Sequence, residues 1–309
     1  MDYLQWLLMS DPAVSSMAQR HLLNRKVPYA TEGWIRRLFE LYKPELHGWG
    51  KGIYAHKWIS DHYTLLELLE LEADGRDPRY VDSISHLLAV LWYTEPLPKK
   101  IRGLDMCVAA MLLRMGCYAK LKDERLNQIV DYILKHPMSD GGWNCCWDAK
   151  PECAHKSSLH TTLSVLEAIY RYHKNGYRYR LDELLVCVPE AEEFILKKRL
   201  FRSVHDGEII NERMIEMHFP VRWFYDAYRA LLYFIDTEHP YDPRMKEAID
   251  RLKEALEKGP LPKGGVHTGM QHFKVDVDVY RAMNTLRGLR ILKAYDFETY
   301  QKLIHQEIE

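Results

Sequence analysis

Apolar residues recur along this chain at spacings of three and four, the period of a helix that buries one face. Leu65, Leu66, Leu68, Leu69 and Leu71 follow "KWISDHYT" in this way. Residues 106–118 form a nearly unbroken apolar helix, and 125–135 ("RLNQIVDYILK") form an amphipathic one. The same spacing predicts helices over 159–172, 190–201, 220–235, 244–257 and 279–295, preceded by amphipathic segments at 3–23 and 31–42. Strand-like alternation is confined to "GEIINERMIEMHF". The pattern therefore predicts an all-α protein.

The predicted helices alternate in character. A more apolar helix is followed by a more charged one, then a turn, then the next apolar helix. Apolar helices are expected to begin near Lys57, Leu104, Ser158, Val221 and Val279, a period of roughly 45–65 residues that marks stacked helical pairs. Gly-aromatic turns punctuate the series at "HGWG", "DGGWNC" and "KGGVH". Such pairs can close as an open solenoid or as a ring with apolar helices inside and charged helices outside. No low-complexity linker interrupts the chain, so one domain over 1–309 is expected, with 1–45 completing or flanking the ring.

Composition narrows the function. The 43 Lys+Arg and 44 Asp+Glu nearly cancel to a formal charge of −1, so no single-sign field is available for a polyanion and nucleic acid is excluded as main partner. Asp2, Gln5 and Asp11 interrupt the opening apolar run, unlike a secretory signal. No stretch approaches the ~18 apolar residues of a membrane span. A cytoplasmic location is expected. There the six cysteines (107, 117, 145, 146, 153 and 187) read as thiols, metal ligands or core residues rather than disulfides. The 20 Tyr and 8 Trp exceed what a core needs and leave rings to line a pocket.

"DGGWNC", "SSLHTTLSVLEAI" and "NTLRGLRILKAY" together resemble the squalene cyclase/protein prenyltransferase repeat group over most of residues 45–295. More closely, the chain is similar to small bacterial proteins with prenyltransferase-type repeats. The resemblance implies an (α/α) toroid. In prenyltransferase β subunits an Asp-x-Cys opening one inner helix and a His opening a later one hold zinc. Here "DMC" supplies Asp105 and Cys107, and "LHTT" supplies His160. Carboxylate, thiolate and imidazole suit Zn²⁺, and three protein ligands leave a position open for chemistry. Cys145, just after the GGW turn, is a candidate fourth ligand. The bland alternative makes Asp105 a helix cap and leaves Cys107 and His160 in the core.

Other candidates accompany this group. Cys146, Cys153 and His155 could form a compact zinc knuckle. Asp276 and Asp278 in "FKVDVDVY" stand where squalene-type cyclases place a DxDD acid, but the final acid is missing here. Polar residues at other apolar-helix entrances would meet at one mouth of a toroid: Lys57, Trp58 and Asp61; Arg222, Trp223, Tyr225 and Asp226; Arg281 and Asn284. Arg222, Asp226 and Arg229 at i, i+4 and i+7 read either as an ion-pair ladder or as an anion clamp. Trp58, Trp143, Trp223 and Tyr225 read as pocket wall or core.

The expected function is a zinc-dependent, transferase-like enzyme, activating a thiol or water against a small-molecule (isoprenoid or anionic) or peptide substrate. A partner subunit is possible by analogy with the prenyltransferases. The alternatives are a non-catalytic toroid binding a lipid or other apolar ligand, and a terpene cyclase-like enzyme.

Overall fold

A computed structural model describes residues 1–92, 104–145, 155–265 and 269–307. Among these residues the chain is all-helical, with 58% helix, thirteen α-helices and no strand. None of the described helices is long and apolar enough to cross a membrane. The chain divides into two compact units that interleave in sequence: Met1–Glu40 with Glu70–Asp74 and Leu196–Glu309, and Leu41–Leu69 with Gly75–Ile195.

The first unit contains α1 (Tyr3–Met9), α2 (Pro12–His21) and α3 (Trp34–Glu40), then α10 (Ala227–Asp236), α11 (Lys246–Glu257), α12 (Val277–Tyr295) and α13 (Phe297–Ile304). The amphipathic segment read over 3–23 forms two helices, α1 and α2. Asp11 caps α2 through the Ala13 N–H, and Pro12 occupies the first helical position, where its missing N–H costs nothing. The same carboxylate accepts the Trp34 N–H at 2.9 Å and so also anchors the start of α3. Helix α12 packs against α10, α11, α13 and α2 and is buried along most of its length.

The second unit contains α4 (Asp61–Glu70, up to Leu69), α5 (Pro78–Leu91), α6 (Met106–Tyr118), α7 (Glu124–Lys135), α8 (Leu159–Lys174) and nearly all of α9 (Leu181–Lys197). Helix α6 packs along α8, with α5 and α7 against α6. Helices α4, α6 and α8 are buried almost all round, whereas α7 buries only Leu126, Ile129, Val130 and Ile133. The alternation of apolar and amphipathic helices is thus real.

Four expectations need correction. Helix α9 begins at Leu181 rather than 190, because Pro189 sits on an exposed face inside the helix instead of opening it. Helix α10 begins at Ala227 rather than 220. Asp226 is its N-cap, accepting the Arg229 N–H at 2.7 Å, and Arg222 has a left-handed φ of 58°. The proposed i, i+4, i+7 face of Arg222, Asp226 and Arg229 therefore does not exist. "GEIINERMIEMHF" forms a 3-10 turn at Glu212–Ile215 and one isolated bridge, Arg202 to Ile209. Helices α5 and α13 lie outside the spans read from the sequence.

Candidate functional site

The turn "DGGWNC" is stitched to the entrance of α8. Trp143 donates its N–H to Thr162 Oγ1 at 3.0 Å, and its carbonyl accepts the Ser158 N–H at 2.8 Å. Asn144 Nδ2 donates to the Lys156 carbonyl, and the Gly142 N–H donates to Ser157 Oγ. Gly141 turns at φ 96°, and a Cβ on Gly142 would collide with Thr162 Oγ1 and Ser157. Gly142 lets the backbone approach the entrance of α8, and Gly141 lets it pass close to the backbone of Glu190, on the way to Cys145.

Cys145 Sγ lies 3.3 Å from the Cys107 backbone nitrogen and 3.3 Å from Thr161 Oγ1. The two thiols also share a hydrogen bond. Asp105 is the N-cap residue of α6, yet its carboxylate makes no capping bond. The Cys145 sulfur takes an N–H of the first turn instead. A sulfur there gains from the exposed N–H groups and the positive end of the helix dipole.

The pair titrates unequally. The hydrogen bond from Cys107 pulls Cys145 below the ordinary thiol range, helped by the Thr161 hydroxyl and the Cys107 N–H, while desolvation opposes. The same hydrogen bond, then burial and the charges of Cys145 and Asp105, push Cys107 up. Cys145 is thus the better anion of the pair. Both cysteines are half-buried.

Tyr54 adjoins this centre. Burial raises its hydroxyl, the hydrogen bond from Tyr63 lowers it, and the charges of Cys107, Asp105 and Cys145 raise it further. Tyr63 donates to Tyr54 at 3.0 Å, and Trp58 packs edge-on against Tyr63 at 4.7 Å. Lys57 Nζ lies 5.9 Å from the Tyr54 ring and 5.6 Å from the Trp58 ring. His62, in the first turn of α4, is fully buried between Tyr54 and Tyr63, at 5.1 and 4.9 Å between ring centroids. Neither of its ring nitrogens has a hydrogen-bond partner. Burial, then the charge of Lys57, lowers its pKa to about 3 and keeps it neutral. The sequence reading missed His62 and Tyr54, although a histidine in the first turn of an otherwise apolar helix was a usable signal.

The other predicted residues of this unit are placed as follows. Asp61 is buried and accepts the Trp49 N–H at 2.7 Å; burial raises its pKa against that bond. Trp143 is fully buried, with its indole N–H on the Ile133 carbonyl at 3.0 Å. His160 is half-buried in the first turn of α8, next to Thr161. Among the described residues no group of three or more His, Cys, Asp or Glu side chains is drawn into a ready-made metal cage. The candidate knuckle cannot be assembled here, since Cys146 and Cys153 lie outside the described residues and His155 is exposed.

In the first unit, Arg222, Asp226, Arg229, Asn284 and Arg287 are all buried. Arg229 donates to the Phe224 carbonyl at 2.6 Å and Arg287 to the His218 carbonyl at 2.9 Å. Asn284 Nδ2 reaches the carbonyls of Met217, Pro262 and Lys263 at 2.9–3.1 Å. His218 Nδ1 lies 3.8 Å from Asp226 Oδ2. Tyr225 donates to the Leu200 carbonyl at 2.6 Å, and Trp223 stacks on Phe224 at 4.0 Å. Arg281 pairs with Asp278 at 2.9 Å near the surface. Asp276 and Asp278 are exposed, and Asp276 caps α12, unlike a buried acid held protonated for alkene attack.

A search with protein-family models returned no match, and comparison with curated proteins and with solved structures found none either.

Proposed function

We propose that the chain is a metal-assisted, transferase-like enzyme in which Cys107 and Cys145 bind Zn²⁺, with Asp105 and His160 completing the ligand set. The observation that carries this reading is the meeting of the two sulfurs between the entrances of α6 and α8, within the electrostatic reach of Asp105. A pair of thiols of which one is readily ionised, beside a carboxylate, is a soft anionic donor set that suits zinc. Bound there with one of the four ligands displaced by a substrate thiol or water, Zn²⁺ would supply Lewis acidity that lowers the pKa of that group.

The chain's own residues do the rest. The Cys107 N–H and the Thr161 hydroxyl hold Cys145 in its anionic form and fix its position. Tyr54, Trp58 and Tyr63 pack into an aromatic cluster whose chemistry would suit an apolar substrate body. The alternation of buried and amphipathic helices, with α6 packed on α8 a repeat away, supports an (α/α) toroid as the framework. A small-molecule or peptide substrate fits this reading, and prenyl-type thiol alkylation is its nearest analogue.

The test is elemental analysis of the purified chain. One zinc per chain is expected, lost in Cys107→Ser and Cys145→Ser and kept in Cys187→Ser. Cobalt substitution should produce sulfur-to-metal charge-transfer absorption that disappears in the same two variants. Zinc-free wild-type protein that gains no metal on titration would sink the reading.

A further inference from the structure

We propose that Cys107 and Cys145 are a thiol–disulfide exchange site, in which Cys145 attacks a low-molecular-weight disulfide and Cys107 resolves the adduct. The geometry supports this without any metal. Cys145 Sγ is fixed 3.3 Å from the backbone nitrogen of Cys107, in the first turn of a 13-residue helix, and 3.3 Å from the Thr161 hydroxyl, so the residue that holds it is the one that would exchange with it. Cys107 sits in hydrogen-bonding contact with it, as a resolving thiol must. Both residues are only half-buried. Cys117, by contrast, is buried in α6, where burial pushes its thiol up.

The chemistry balances as follows. The Cys145 thiolate attacks one sulfur of R–S–S–R, forming a mixed disulfide and expelling R–S⁻. Cys107 gives up its proton and attacks the Cys145 sulfur, forming the Cys107–Cys145 bond and expelling the second R–S⁻. The two protons of the protein thiols end on the two leaving groups. The protein is oxidised by two electrons and R–S–S–R is reduced to two R–SH. The bond would remove both sulfurs from metal binding, so exchange and metal loading are mutually exclusive states of one centre.

The experiment treats the full chain with oxidised glutathione, blocks remaining thiols by alkylation, and maps the cysteines by proteolysis and mass spectrometry. Cys146→Ser is run alongside, because Cys145 and Cys146 share a proteolytic peptide. The expected result is a Cys107–Cys145 cross-link and loss of two free thiols, with Cys117 and Cys187 still alkylated. In Cys107→Ser, glutathione should stay attached to Cys145; in Cys145→Ser, Cys107 should remain a free thiol. Finding Cys107 and Cys145 alkylated after treatment of wild type, or linked to other cysteines, overturns the proposal. Cross-linking in protein that never carried zinc supports it while sinking the metal reading, and zinc-bound protein that resists cross-linking even after chelation overturns it while leaving that reading intact.

Discussion

Two clusters, one in each unit, use buried polar residues differently. In the first, Asn284, Arg287 and Arg229 spend their donors on backbone carbonyls of residues 217, 218, 224, 262 and 263. Such bonds satisfy irregular buried backbone that no helix ladder can serve. In the second, Cys107 and Cys145 bond one another and His62 bonds nothing. Burying a polar group without a partner costs free energy. Residues held at such a cost belong where chemistry or ligand contact needs them. Cys107, His62 and Arg229 each sit in the first turn of a helix, so that position does not separate structural polarity from reactive polarity. The partner of each side chain does.

His62 provides the largest test of that difference. Its folded pKa of about 3 lies below the ordinary 6.5, so the unfolded chain binds the extra proton between those values. Stability therefore falls as pH drops from 6.5 towards 3, by on the order of 4 kcal/mol for this residue alone. Subtracting the pH–stability curve of His62→Leu from that of wild type should isolate this limb, with the variant at least as stable at pH 7. A difference curve flat between pH 6.5 and 3 means that His62 is not held neutral by burial.

Asn284→Ala should come next, costing about 3 kcal/mol in chemical denaturation because it leaves three buried carbonyls without their donor. The Cys107–Cys145 exchange should survive it. Loss of exchange together with stability would erase the distinction between the clusters. Gly142→Ala should cost about 2 kcal/mol through its collision with Thr162 and Ser157, because overpacked positions must shift their neighbours. It should also slow exchange, since it displaces the turn that carries Cys145.

Cys145→Ser reverses that profile. We expect a stability change of no more than about 1 kcal/mol, since serine can keep the contacts to Thr161 and the α6 N–H, with complete loss of exchange and metal. Smallest of all is Arg281→Ala, where an exposed pair with Asp278 contributes no more than about 0.5 kcal/mol. A large effect on substrate handling there would restore Arg281 to the site.

Much of this organisation was legible beforehand. The apolar run at 106–118 and the amphipathic one at 125–135 match α6 and α7 to within a residue, because each carries an uninterrupted helical period and strong flanking signals. Expectations failed where a single capping residue outweighed periodicity, as with Asp226. At the site, the pairing of Cys145 with Cys107 was anticipated only as a ligand option. His62 went unnoticed because "SDHYT" looks like an ordinary polar helix start, and only burial makes its histidine unusual.

By itself the sequence determined helix content, the alternation of buried and amphipathic helices, and which residue types could carry chemistry. All of these depend on local period and composition. Tertiary structure alone decided which polar side chains face backbone and which face each other. Cys107 and Cys145 stand 38 positions apart and touch only because α6 packs along α8 while Gly141 and Gly142 bring the intervening turn close. A contact of that separation depends on packing, and no local pattern encodes it.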